Sequence, residues 1–296
     1  MKLGFHDDIT AQAYHTDPCA TPSLTQSIAN EMIMRSPWHA HRLHPKLGGK
    51  SRIATDAKDA GSLMHSLLLG QEHQFAVVSV DDFRTKAARE FRDDAIARGK
   101  TPVKKCDFDA AMEQAARIGR VLRREHGIEL GRMKRELTVV WNEKTDILGQ
   151  VPIDVVCRAR LDAFDGTTIY DLKTCTDAST AKLTRSVIQF GYDMQAAAYT
   201  SAVERTDIRM AGRINFADIF IENETLAINV VRFDGMFQEL GRQRWQECVN
   251  IWHECLTSGV WPGYSTAGTV SRLECPEWRR TQNDTELSSL RRKVGR

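Results

Sequence analysis

Arg160-Leu161-Asp162-Ala163-Phe164-Asp165-Gly166-Thr167-Thr168-Ile169-Tyr170-Asp171-Leu172-Lys173-Thr174 is the stretch that decides the fold. Asp165-Gly166 is a hairpin turn signal, and the runs on either side are apolar or β-branched. Residues two apart on a strand share a face. Asp171 and Lys173 therefore project together, while Leu172 points the other way into a core. A hairpin at Asp165-Gly166 brings Asp162 beside Asp171, giving two carboxylates and one ammonium at one edge of a sheet. Two like charges about 4 Å apart repel by roughly 4 kcal/mol at an effective dielectric of ~20. One lysine offsets part of that, and a hard divalent cation, which prefers carboxylate oxygens, offsets it fully. A metal held this way can activate water and clamp a phosphate. The competing reading is a solvated strand end with an Asp–Lys pair worth little.

Outward from the hairpin, the chain divides by pattern. Glu136 to Trp141, Gln150 to Arg160 and Thr167 to Leu172 read as three strands. Ser186 to Ala202 reads as a helix, Ile214–Ile221 and Thr225–Val231 as two more strands, and Met236 to Leu256 as a long helix. Upstream, residues before about Thr21 look like an irregular arm, and Thr21 to Ser36 holds a helix with Leu24, Ile28 and Met32 on one stripe. His39, His41 and His44 follow, on what reads as a solvated or nucleic-acid-facing surface rather than a metal site. Gly48 to Lys58 is a polar connector, Ala60 to Gly70 a compact apolar helix carrying His65, and Asp109 to Glu125 another helix. Helices first, then a meander and mixed strands, make an α+β plan, sandwich-like, with a central sheet flanked by helices. The expected organisation is one domain over residues 1–280. Residues 1–125 would be its mainly helical N-terminal part, 130–262 its core, and 281–296 a polar, mobile tail.

The 296 residues are 42% hydrophobic and 27% charged, with a formal net charge of +2. That is ordinary for a soluble globular protein. No apolar stretch approaches the ~20 residues needed to span a bilayer, and the N-terminus has no apolar leader, so the expectation is a cytoplasmic protein with no membrane partner. The seven cysteines are scattered, without a Cys-x-x-Cys pair, which speaks against a zinc ribbon, an iron–sulfur cluster or a disulfide framework. Between Asp81 and Lys105, basic residues interleave with acids, as on a solvated helix face. Within it Arg84, Lys86, Lys100, Lys104 and Lys105 are candidates for contacts to nucleic-acid phosphates. Gln195 and Tyr199 lie one turn apart on the helix that follows the hairpin, and a glutamine in so apolar a stretch needs a hydrogen-bond partner.

A helical His, then Asp, then Asp-x-Lys, then Gln-x-x-x-Tyr resembles the PD-(D/E)xK nuclease superfamily in the form used by RecB-type nucleases. Other stretches are similar to the exonuclease domain of RecE-like phage and prophage exonucleases. They are Ser27 with Ser36-Pro37, Gly61 to Leu69, Cys157 to Asp162, Asp171 to Thr174 with Asp177-Ala178, Tyr192 to Tyr199, and Trp261-Pro262-Gly263-Tyr264. The resemblance runs from about Ser23 to Trp278. It implies a restriction-endonuclease-like core with N-terminal helical additions. It also implies a magnesium- or manganese-dependent exonuclease, using one or two ions, that acts on ends of linear double-stranded DNA. The direction would be 5′→3′, leaving 3′ strands for recombination by a single-strand annealing partner, and a homo-oligomeric ring is common in such families. By the same resemblance, Asp162, Asp171, His65 and the Leu172 carbonyl would hold metal. Lys173 would orient the attacking water, Glu136 would serve a second metal or position water, and Gln195 and Tyr199 would support the site or touch DNA. The usual Pro-Asp on the second strand is Leu161-Asp162 here. Two rivals follow from the same residues: an endonuclease or nickase of this fold, and a non-catalytic DNA-binding protein that kept it.

Overall fold

The Asp165 side chain closes the central hairpin. Its Oδ1 accepts from the Thr167 and Thr168 amides at 2.8 and 2.7 Å, and Gly166 supplies a φ of 103° that a side chain would resist. Around this turn the computed structural model describes residues 1–49, 60–80, 82–264 and 269–295. In chain order its elements are β1 (Gly4–His6), α1 (Ala11–His15), α2 (Gln26–Met34), α3 (Pro37–Leu43), α4 (Ala60–Leu68), β2 (Phe75–Val78), α5 (Lys86–Ala97), β3 (Thr101–Lys104) and α6 (Lys105–His126). There follow β4 (Lys134–Lys144), β5 (Asp154–Phe164), β6 (Thr168–Cys175), α7 (Thr180–Phe190), α8 (Tyr192–Thr206), β7 (Asn215–Glu222), β8 (Ile228–Val231), α9 (Gly235–Ser258) and α10 (Glu277–Lys293).

Six strands form one mixed sheet in the order β1-β4-β5-β6-β7-β8. Only the β6–β7 pair is parallel. A parallel step needs a crossover, and α7 and α8 supply it. Alternation along β6 sends Ile169 to a core built with α2, α8 and α9, and Leu172 to a second core built with α4 and α6. The sheet is thus covered on both faces, the α+β sandwich that the strand pattern predicts. Buried Glu143 of β4 fastens the α8–α9 side: Oε1 accepts from Trp141 and Trp245 Nε1 at 3.0 Å each and from Ser201 at 2.5 Å.

Several expectations need correction. The N-terminal arm is not irregular. β1 pairs with β4, and Asp17, on the segment after α1, is buried. His44 is no surface residue: it is wholly buried, with Nε2 3.2 Å from Asp17 Oδ2. The expected helix over 186–202 is two helices broken at Gly191. There φ is 66° and an added Cβ would stand 2.5 Å from Asn30 Oδ1. β2 and β3 form a separate parallel ladder, Phe75–Val78 on Thr101–Lys104, that the charge-dense pattern hid. Residues 50–58 of the expected polar connector lie outside the described residues.

One compact unit ends at Trp261. A second, Pro262–Arg296, contains α10. The polar tail is thus helical over most of its length, with Glu277 in the first turn and Arg291, Arg292 and Lys293 in the last, as the helix dipole favours. No helix among the described residues is long and apolar enough to cross a membrane.

Candidate active site

Past the Ala163–Tyr170 pair the β5–β6 ladder gives out. The Asp162 carboxylate takes over as acceptor, with Oδ2 receiving the Leu172 amide at 2.8 Å. The same oxygen meets His65 Nε2 at 3.0 Å, brought in by α4. Asp171 is buried and bound on both oxygens, Oδ1 by Gln195 Nε2 at 2.6 Å and Oδ2 by the Lys173 ammonium. Gln195 Oε1 accepts from Lys173 Nζ at 2.8 Å, closing a three-membered network. The Tyr192 ring lies 4.4 Å from Lys173 Nζ, a cation–π contact at the head of α8.

The electrostatics follow from burial and crowding. Burial pushes the Asp171 carboxyl up to about 6; the Lys173 ammonium opposes the rise and the Asp162 charge adds to it. Burial would also raise Asp162, but the His65 charge and hydrogen bond, with Lys173 and the Leu172 amide, hold it below the usual range. Burial would lower His65, yet Asp162, then Asp171 and Glu136, raise it overall. Burial works against a charged Lys173 as well, and Asp171 and Asp218 more than reverse that.

Residues 34–273 match the model of the PDDEXK-like domain of unknown function DUF3799. The chain belongs to this family. A solved structure described as "Putative exonuclease", from Eubacterium rectale, shares the fold at a TM-score of 0.52 and 16% identity, covering 95% of this chain and 98% of that one. A second, SSO0001, reaches a TM-score of 0.27 at 12% identity over 71% of this chain and all of its own, too low to carry an argument. None of the curated proteins matches. The PD-(D/E)xK core expected from the motif order is therefore the fold of this chain.

Nucleases of the PDDEXK class typically use divalent metal ions. Among the described residues, no three His, Cys, Asp or Glu side chains stand arranged as metal ligands. Asp162 is turned to His65 and Leu172, and Asp171 to Lys173 and Gln195. The donor chemistry nevertheless fits a hard cation: two carboxylates and an imidazole lie beside one break in a hairpin. A third carboxylate reinforces the fit. Asp218 of β7 is fully buried, neither of its oxygens has a hydrogen-bond partner among the described residues, and its Cα is in register with that of Asp171. Burial raises its carboxyl well above the ordinary range, with Lys173 opposing. Three carboxylates thus share one lysine.

The remaining predicted residues divide. Glu136 sits on β4 with a φ of 56° and pairs with Arg160, so it reaches the site as a charge acting on His65. Tyr199, one turn on from Gln195 along α8, packs edge-on against Phe216, with ring centroids 6.2 Å apart. The phosphate-contact candidates are locally paired: Arg84 with Asp82, Lys86 with Glu90, Lys104 with Asp107 and Lys105 with Asp109. Lys100 is exposed beside β3. The structure brings none of the five into the Asp171 network. Asp218 and Tyr192 were not singled out from the sequence. An aspartate alone in Phe216-Ala217-Asp218-Ile219-Phe220 was the available signal for the first.

Proposed function

We propose that this PDDEXK-like protein is a divalent-metal-dependent DNA exonuclease. In this reading it degrades linear duplex 5′→3′ and leaves 3′ single strands for phage-type recombination by annealing. The observation that carries the reading is the network of Asp171, Lys173 and Gln195 beside the Asp162–His65 pair at the break in the β5–β6 ladder. The motif order of RecE-like exonucleases supports the finer assignment, and the Eubacterium rectale structure of the same fold, described as a "Putative exonuclease", is in keeping with an exonuclease without pointing to a particular direction.

Asp162, Asp171, His65 and the Leu172 carbonyl are the groups that would hold Mg²⁺ or Mn²⁺, as one or two ions. When bound, the cation supplies Lewis acidity toward a phosphoryl oxygen and activates water. Lys173 stays charged despite burial because carboxylates surround it. Its ammonium can orient a water and offset charge developing on the scissile phosphate. Gln195 sets the direction of that ammonium. A homo-oligomeric ring and a single-strand annealing partner belong to the same reading, and sedimentation and co-purification check them.

The test is timed digestion of linear duplex labelled at either the 5′ or the 3′ end, with Mg²⁺ or EDTA, beside Lys173→Ala and a covalently closed circle. The expected result is metal-dependent loss of the 5′ label first, an intact circle, and a rate on the order of 10²–10³ lower for Lys173→Ala. Cutting of the circle would make the protein an endonuclease. Binding without cutting, with Lys173→Ala indistinguishable from the parent, would make it a non-catalytic relative.

A further inference from the structure

The second half of α6 reads Arg117-Ile118-Gly119-Arg120-Val121-Leu122-Arg123-Arg124. Ile118 and Leu122 are buried, and all four arginines are exposed. Arg117, Arg120 and Arg124 recur at helical spacing on one side. They line a concave cavity of about 810 Å³ whose other wall is Ala227 and Ile228, at the start of the edge strand β8. Among the described residues its lining holds one carboxylate, Glu125, which pairs with Arg124 at 2.6 Å. Arg117, Arg120 and Arg123 form no ion pair among the described residues. The contrast with α5 decides how this surface is read. There Lys86 and Arg92 each meet an acid, Arg98 just after the helix meets Asp94, and Arg89 is turned to the Arg84 carbonyl, as on an ordinary solvated face.

We infer that this arginine-lined groove between α6 and β8 binds the phosphodiester backbone of a DNA duplex and is the electrostatic track that leads substrate to the active site. The inference rests on the nuclease reading for its substrate. Guanidinium groups match phosphate oxygens through paired N–H donors, and unneutralised cations in a concave surface attract a polyanion. Placement agrees. Ile228 pairs with Ile221, and Phe220 pairs with Lys173. Ile228 lies on the Leu172 face of the sheet, opposite the face to which Lys173 projects, so the groove reaches the site past the α4 side, two strands along. α6 also shares a core with α4, the helix that delivers His65.

The test compares the parent with Arg117→Gln/Arg120→Gln/Arg123→Gln. Affinity for a labelled duplex is followed against salt in EDTA, and initial rates are then measured with Mg²⁺. A control triple, Arg92→Gln/Arg98→Gln/Arg242→Gln, removes the same charge from exposed arginines already paired with acids. Each phosphate contact contributes about 0.9 to the slope of log affinity against log salt. The groove triple should flatten that slope by roughly 2–3, weaken binding at least tenfold, and raise KM while leaving kcat at saturating DNA unchanged. The control should keep the parent slope. Parent-like slope and KM in the groove triple, with matching melting temperatures, would overturn the groove even if the parent cuts DNA. A parent that binds with a slope the groove triple loses, yet cuts nothing, keeps the groove and sinks the nuclease reading. A parent that does not bind duplex at all overturns the groove outright.

Discussion

Gln195 joins the two charges of the site, donating to Asp171 and accepting from Lys173. Its amide can satisfy both only in one orientation, so it fixes where the ammonium points. Removing such a supporting group typically costs 10–100-fold in activity or metal affinity. Gln195→Ala is expected to lose about that much in kcat/KM, with the duplex affinity measured in EDTA unchanged. Equal loss of both would place Gln195 on the DNA instead. Asp218 behaves differently. Its carboxyl, raised by burial, holds a proton over a range where the unfolded chain, titrating near 3.9, has lost it. The folded state binds more protons there, so this residue makes stability fall as pH rises. Asparagine keeps the shape without the charge, and Lys173 keeps Asp171. In EDTA, Asp218→Asn should match the parent near pH 4 and melt at a higher temperature than the parent near pH 8. Equal melting curves near pH 8 would show that burial does not raise the Asp218 carboxyl.

Elements differ in how far local sequence determines them. The β5–β6 hairpin is local: a turn signal, period-two alternation and one carboxylate at the right offset place Asp162, Asp171 and Lys173 together, and all of that is legible in one short stretch. Gln195 and Tyr199 follow from a single helical turn. Asp218 is not legible in the same way. It reaches the site only through the parallel β6–β7 pairing, and the α7–α8 crossover that makes the pairing is itself broken at Gly191, whose φ of 66° and closeness to Asn30 of α2 leave room for no side chain. Helix–helix contact also governs Gly241, in the middle of α9. Alanine ordinarily stabilises a helix interior by ~1 kcal/mol over glycine. Here an added Cβ would stand 2.3 Å from the Asp193 carbonyl oxygen of α8. Forcing a methyl group against fixed backbone costs about 1–3 kcal/mol or more, so the clash outweighs the helical gain. Gly241→Ala should lower the melting temperature and reduce kcat, because Gln195 stands two residues beyond Asp193. A higher melting temperature would mean the two helices part without cost.

At the scale of the whole molecule, the N-terminal segment is tied to the sheet by one buried cluster. Asp17, with a φ of 58°, accepts from the Cys19 and Ser23 amides at 3.1 and 2.9 Å and from Ser23 Oγ at 2.8 Å. Arg158 of β5 stands 3.3 Å from Asp17 and donates to Ser23 Oγ and its carbonyl at 2.6 and 2.8 Å. His44, just after α3, accepts from the Lys46 amide at Nδ1, which leaves Nε2 as the donor facing Asp17. Residues far apart in sequence complete one another here, which is why local pattern reads the segment as an arm and His44 as surface. Burial would raise the Asp17 carboxyl, but the His44 hydrogen bond, the Arg158 charge and the two bonds from Ser23 hold it well below the carboxylate range. Its stabilisation is therefore present above the unfolded value near 3.9 and is lost as pH falls below it. Asp17→Asn leaves the Arg158 guanidinium buried without its counter-charge, a change that costs about 3–5 kcal/mol when a buried pair is broken from one side. Denaturant unfolding of parent and variant near neutral pH should show that loss, and the gap should narrow on acidification below about pH 4. A gap that stays constant with pH would mean that Asp17 acts through hydrogen-bond geometry rather than through its charge.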